Sequence, residues 1–260
     1  MITPEHLREL WGYRSLIVKI AWSDFKLRYK NSVLGFFWTL LEPLLMLLVL
    51  YVVFSHLMRV QVEHYQLFLL LGIVLWNFLA RGTTMGIFGI IGKPSLVQKV
   101  YFPRDVLIIS ACFTALMMTL LELAVFAVFM IIFKVAPGLT ILYSPLIFIL
   151  LFLIVFGLAT GLSALNVYFR DVQFIWNVVL QAGFFATPIL YPVTIFPEHL
   201  QKIVMLNPIA RIISMLRDCI LYNTAPQAGD LIYVVIWAGM AVLAGYLIFD
   251  RLEPRFAEEI

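Results

Sequence analysis

The chain has 260 residues, of which 63% are hydrophobic and only 13% are Asp, Glu, Lys or Arg. Soluble domains run at about half apolar and about a quarter charged, so a water-soluble globule and a disordered chain are both excluded. A mean hydropathy of +1.00 makes lipid the solvent for most of the chain, and a net charge of +3 gives no ground for a nucleic-acid partner. Cys112 and Cys219 stand far apart and match no zinc or redox spacing.

The first thirty residues hold six Lys or Arg and no unbroken apolar run, so no cleavable signal is expected. Within them Leu7, Leu10, Trp11, Ile17, Val18, Trp22 and Phe25 recur at helical spacing. Arg8, Glu9, Arg14, Lys19 and Lys26 fill the other side. This pattern predicts an amphipathic helix over residues 1–30 lying in the membrane interface. Trp11, Arg14 and Trp22 mark it, as a plain anchor or as a substrate-handling element.

A membrane helix needs about 20 apolar residues. Six segments qualify, at about 33–57, 66–91, 105–133, 144–167, 172–191 and 231–249. The expected fold is an all-α polytopic membrane protein, with a transmembrane domain over 31–255 and a short tail at 256–260. With both termini in the cytoplasm, that side holds twelve of the eighteen Lys and Arg and the outer side five, with Arg81 inside a span. The positive-inside rule and the even span count agree on this orientation.

The segment 188–230 is too long for a plain turn and too apolar for a solvated loop. Residues 197–206 and 208–222 form two short amphipathic stretches, each opening with proline, which suits a first helical turn. Arg211 and Arg217 interrupt the second. Short re-entrant or interfacial helices on the outer side are expected, as the mouth of a pathway or as a structural cap.

Catalytic chemistry does not assemble. His6, His56, His64 and His199 pair neither with one another nor with cysteine at a metal-ligand spacing. His56, Glu63 and His64 meet only as a solvated outer loop. The run Gly92-Lys93-Pro94-Ser95 resembles the end of a phosphate-binding loop, but Ile87 stands where its first glycine belongs and Pro94 where Ser or Thr would hold magnesium. No catalytic residue, metal or cofactor is expected on this chain. A membrane-embedded transferase is disfavoured for the same reason.

Three ions fall inside spans: Glu42, Arg81 and Glu122. Counting rise per residue separates Arg81 and Glu122 by roughly 10 Å in depth, too far to assign a pair. A row of acids for proton relay is missing, which argues against a proton-driven carrier. Gly82 with Gly86, and Gly157 with Gly161, give small-xxx-small spacing, read as packing within the bundle rather than a dimer seam. In the fifth span Phe174, Asn177, Gln181, Phe184 or Phe185, and Pro188 share one face. Aromatic rings and amides on one stripe suit a pathway for sugars, because rings stack on sugar C–H faces and amides bond hydroxyls; core packing explains the aromatics equally well, but Asn177 and Gln181 need a polar partner in lipid.

Several stretches together resemble the ABC-2-type polysaccharide export permeases, the membrane subunits of O-antigen, capsule and teichoic-acid exporters. They are Asp24-Phe-Lys-Leu-Arg-Tyr-Lys-Asn-Ser-Val-Leu-Gly-Phe-Phe-Trp with Leu41-Glu-Pro-Leu, then Ser95-Leu-Val-Gln-Lys-Val-Tyr-Phe-Pro-Arg-Asp. Asn166-Val-Tyr-Phe-Arg-Asp-Val, Thr187-Pro-Ile-Leu-Tyr-Pro, Asn207-Pro-Ile-Ala and the tail Arg255-Phe-Ala-Glu-Glu-Ile complete the set, which covers nearly the whole chain.

The resemblance implies a half-transporter in the bacterial inner membrane. Two permeases would pair with two copies of a separate ATPase, which carries the ATP and magnesium. The cargo would be a polyprenyl-diphosphate-linked polysaccharide, with O-antigen set first among O-antigen, capsule and teichoic acid, and with a drug or lipid as the alternative. Lys93, Leu96, Val97, Lys99, Val100 and Tyr101 would form the coupling helix that docks on the ATPase. Pro188, Tyr191, Pro197, Asn207 and Pro208 would belong to gate helices at the outer exit. Arg170-Asp171 would lie in a second cytoplasmic turn, with Asp171 also able to cap the fifth helix.

Overall fold

A computed structural model describes residues 4–30, 32, 34–35, 37–57, 62–99 and 102–256. Among them every regular element is helical. The chain opens with α1 (Pro4–Gly12) and α2 (Arg14–Tyr29), then α3 (Phe37–Tyr51), which runs on as a π-turn over Val52–Leu57. Next come α4 (Tyr65–Ile87), the short α5 (Pro94–Lys99) and α6 (Asp105–Ile132). A 3-10 turn leads into α7 (Ser144–Tyr168), followed by α8 (Val172–Ala186), α9 (Glu198–Val204), α10 (Pro208–Ile220) and α11 (Ala228–Leu252). Five helices are long and apolar enough to cross a membrane: α3 with its π-turn, α4, α6, α7 with its preceding turn, and α11.

The fifth predicted span differs. Helix α8 has 15 residues, about 22 Å at 1.5 Å per residue, against an apolar slab of about 30 Å. It stops at Ala186 because Thr187 precedes a proline, which pushes it out of the helical region; Thr187 is extended, with φ −90° and ψ 141°. The rest of that segment is irregular backbone.

Helix α4 is the hub. It is apolar all round from Leu67 to Leu75 and is buried between α6, α7, α3 and α8. Both small-residue motifs are spent inside the chain. A Cβ on Gly86 would meet the Ala159 methyl at 2.5 Å, and one on Gly82 would collide with Val155, so that face of α4 lies flush on α7. Gly157 in turn faces the backbone at Ala241, and Gly245 faces the Gly157 carbonyl, which brings α7 and α11 into backbone contact. We expect Gly245→Ala to lower stability by about 1–3 kcal/mol, because the obstructing atom is backbone. Gly239→Ala on the same helix meets nothing within 4 Å and is expected to be neutral or slightly stabilising. Thermal melting of the two detergent-solubilised variants, followed by size-exclusion chromatography, checks the contrast.

The N-terminal amphipathic segment is two helices, not one, with a break at Tyr13 (φ −88°, ψ 7°) beside Gly12. Its apolar residues also divide. Ile17 and Ala21 are buried on α2, whose main packing partner is α6, and Thr114 Oγ1 of α6 donates to the Ala21 carbonyl at 3.3 Å. Trp11 and Trp22 point away and are 70% and 48% exposed. The single broad stripe in the sequence therefore serves two surfaces, one against protein and one facing outward.

Candidate functional site

At the end of the bundle that carries α1, α2 and α5, the short α5 sits after the turn from α4. Leu96 is half-buried, Val97 is buried and Lys99 is exposed; Val100 and Tyr101 lie outside the described residues. Lys93 Nζ donates to Asp24 Oδ2 at 2.5 Å, tying this turn to α2. Val97 lines a cavity of about 410 Å³ together with His6 and Glu9 of α1, Arg104, and Glu253 of the C-terminal turn. Its apolar character is thus accounted for by packing in its own chain.

The walls of that cavity are pinned from beneath. Buried Asp105 takes bonds from His6 Nε2 at 2.8 Å and from the Tyr246 hydroxyl at 3.1 Å. Arg104 Nη1 donates to the Glu253 carbonyl at 2.6 Å. Burial first, and then the Asp105 carboxylate, raise the Glu253 carboxyl above its ordinary pKa. Three remote segments, α1, α5 and the C-terminal turn, thereby form one surface. On α1 and α2, Arg14 donates to the Trp11 carbonyl at 3.1 Å and lies over its ring, and Lys26 lies over Trp22.

Midway along the bundle, α8 is fixed to α4 by Trp176 Nε1 donating to Thr83 Oγ1 at 2.8 Å and by Gly183 against Trp76. Its outer face carries Phe174, Asn177, Gln181 and Phe185, all exposed. The two amides have no side-chain hydrogen bond among the described residues. Phe184 leaves this stripe: it is half-buried and meets Trp76 edge-on at 6.1 Å. Asp171 does occupy the N-cap of α8, but its backbone is already helical (φ −72°, ψ −17°) and its side chain caps nothing. On α3, exposed Glu42 lines a groove of about 650 Å³ with Trp38 and with Asn77 of α4.

Arg81 and Glu122 do form an ion pair, which corrects the sequence expectation. Their depth offset is real: Gly82 touches Ala115, so Arg81 sits about two turns from the level of Glu122. Side chains lean toward the N-terminus of their own helix, and α4 and α6 run antiparallel, so the two side chains lean toward each other and close the gap.

At the opposite end the break after α8 is built around residues that the sequence marked only in part. Pro188 is buried and Tyr191 half-buried, while Pro197 is exposed before α9. The Tyr191 hydroxyl donates to the Phe185 carbonyl at 2.6 Å, and the Tyr65 hydroxyl donates to the Leu190 carbonyl at 2.6 Å. Asn207 caps α10 by accepting from Ile209 N at 2.9 Å, ahead of Pro208 in the first turn, as its spacing suggested. Its amide also donates to Thr187 Oγ1 at 3.0 Å, linking the cap to the end of α8.

The arginines of α10 are not interruptions. Arg211 pairs with Asp230 and lies over the Tyr233 ring. Arg217 is 3% exposed. Its guanidinium donates to the carbonyls of Phe68, Pro188 and Ile189 at 2.6–3.1 Å and rests on the Phe68 ring. A signal was available: Ile209, Ile213 and Arg217 stand four apart, and all three fall on the buried face of α10. Glu63 and His64 approach to 3.7 Å in an exposed turn, the His56 side chain lies outside what is described, and no metal-binding cluster occurs among the described residues.

The arrangement is a polar surface at one end, exposed amides along one face, and a braced break at the other end. It holds no catalytic constellation among the described residues. A family model described as "ABC-2 type transporter" matches residues 15–221. Two Klebsiella pneumoniae proteins named "O-antigen export system permease protein RfbA" are 33% and 32% identical over 245 residues, 94% of this chain and 94% of each relative. A Myxococcus xanthus protein of the same name is 30% identical over 256 residues, 98% of both. On a match that takes in most of its length, this chain belongs to the ABC-2 type transporter family of membrane permeases.

Proposed function

We infer that this chain is the membrane-spanning permease of an ATP-driven exporter that moves a lipid-linked polysaccharide, of the O-antigen class, across the bacterial inner membrane. The near full-length likeness to O-antigen export permeases carries this reading. The α8 stripe supports it from physical chemistry. The side chains of Asn177 and Gln181 have no hydrogen bond among the described residues, and amides are costly in lipid. They call for water, a glycan or a second protomer.

In this reading two copies of the chain bring the outward faces of α3 and α8 together around a wet path, with both termini in the cytoplasm. Glu42, Asn77, Asn177 and Gln181 supply hydroxyl partners there, and Trp38, Phe174 and Phe185 supply stacking faces. The burial of Arg217 strengthens the orientation, because one of the five outer cations does not face solvent. ATP and magnesium belong to two copies of a separate ATPase, docked on α5 and the surface it shares with α1 and the C-terminal turn. A polymer cannot be enclosed in one pocket, so closure of the ATPase pair opens a continuous channel and advances the chain in strokes. The braced segment from Pro188 to Asn207 is its outer gate.

Depletion of this permease is expected to accumulate polyprenyl-linked glycan in the cytoplasmic leaflet and to remove polysaccharide from the surface. Restoring the intact chain reverses both. Restoring a chain with residues 93–101 scrambled reverses neither, although it reaches the membrane. Unchanged glycan in both places would overturn the cargo assignment and leave an exporter of a drug or lipid.

A further inference from the structure

A second basal cavity, of about 300 Å³, lies between α2 and the end of α4. Asp24 and Arg28 of α2, Thr84, Met85 and Phe88 of the α4 end, and Lys93 ahead of α5 line it. Its volume is at the lower limit of ligand-sized pockets, enough for a headgroup and too small for a glycan chain.

Its two walls differ in chemistry. One is cationic: Arg28 is exposed, with no hydrogen bond or ion pair among the described residues, and Lys93 is shared with the single carboxylate of Asp24. Asp24 and Arg28 stand four apart and so share one face of α2, which sets Arg28 beside the Asp24–Lys93 pair. The half-buried Thr84 hydroxyl makes no side-chain hydrogen bond among the described residues. The other wall is apolar, with Met85 and a Phe88 that is 42% exposed. Cations on one side and apolar side chains on the other match an amphiphile with a compact, highly charged anionic head.

The position of Lys93 gives this pocket a second property. It is the last residue before α5, and the one side-chain bond it makes among the described residues crosses to α2. A diphosphate carries more charge than one carboxylate and offers several acceptor oxygens, so it competes with Asp24 for Lys93 and recruits the idle Arg28.

We propose that this cavity seats the diphosphate headgroup of the polyprenyl-linked cargo, and that Lys93 transfers from Asp24 to the phosphate when cargo arrives. The transfer loosens the α2 tie on the turn before α5, so that loading is felt at the surface where the ATPase docks. This rests on the export reading above. Basic residues at helix C-terminal ends are also placed by the helix dipole alone, and the test separates the two.

The full-length chain is reconstituted in phosphatidylcholine nanodiscs and titrated with a short-chain polyprenyl diphosphate, the matching monophosphate and phosphatidylglycerol. Arg28→Gln is expected to weaken diphosphate binding about tenfold without changing the melting temperature, since Arg28 makes no hydrogen bond or ion pair among the described residues. Asp24→Asn is expected to tighten it several-fold, because the competing carboxylate is gone. A purely structural Asp24–Lys93 pair predicts the reverse: lower melting temperature and unchanged or weaker binding. Indifference to both substitutions overturns the proposal, as does phosphatidylglycerol binding with the same affinity and the same dependence on Arg28. Cells in which the Arg28→Gln permease exports normally overturn the headgroup site and leave the export reading standing. Unchanged glycan on depletion overturns the export reading itself.

Discussion

Replacing Arg217 with leucine is expected to leave little folded permease in the membrane. The guanidinium serves the carbonyls of Phe68, Pro188 and Ile189 with all three of its nitrogens. Pro188 and Ile189 belong to the irregular stretch after α8, where no helix continues to accept or donate. A buried carbonyl left without a donor costs about 1–3 kcal/mol, and more where no water can replace the partner. The change also loses the contact with the Phe68 ring. A total near 3–5 kcal/mol is comparable to breaking a buried ion pair, and it is a large fraction of the stability of an ordinary domain. Arg217→Lys keeps the charge but not the planar fork, so it is expected to fall between wild type and leucine. An independent lesion tests the same brace: a methyl on Gly72 would approach Arg217 Nη2 to 2.5 Å, so Gly72→Ala is expected to reproduce part of the loss. The yield of monodisperse protein and its melting temperature, read across the three variants, give the order. Wild-type melting in Arg217→Leu would remove the brace from the account.

This brace also shows where sequence reasoning stopped. Apolar length placed the spans at 105–133, 144–167 and 231–249 within about three residues of α6, α7 and α11, and a proline in the first turn marked the start of α10, because those signals are local. The end of α8 was missed by five residues, since the run to Tyr191 stays apolar after the helix has been ended by Thr187-Pro188. Apolarity reports burial, not helicity. The division of labour on α1 and α2 was illegible for a related reason. Periodicity finds Ile17 and Trp22 equally apolar, but only the packing of α6 decides which one is covered. Of the glycan-stripe candidates, Phe174, Asn177, Gln181 and Phe185 share a face by spacing alone, whereas the position of Phe184 depends on Trp76, more than a hundred residues earlier in the chain.

Separate neutral substitutions of Arg81 and Glu122 are expected to harm the protein more than their combination. The pair joins α4 to α6 inside the bundle, with the Glu122 side chain fully buried and that of Arg81 11% exposed. Arg81→Leu leaves a carboxylate buried among apolar helices. Glu122→Leu leaves a guanidinium there, whose Nη1 already lacks a protein partner among the described residues. Breaking one side of such a pair costs about 3–5 kcal/mol, mostly as the desolvation of the charge that remains, whereas replacing both sides with apolar groups is often close to neutral. The double variant is therefore expected to recover most of the melting temperature lost by either single one. Additive losses in the double variant would mean that each side chain is held by packing and that the ion pair contributes nothing. If the double variant folds well but export stays low, the pair has a role in transport beyond holding α4 against α6; Asn77, which lines the groove with Glu42, stands one turn from Arg81 on α4.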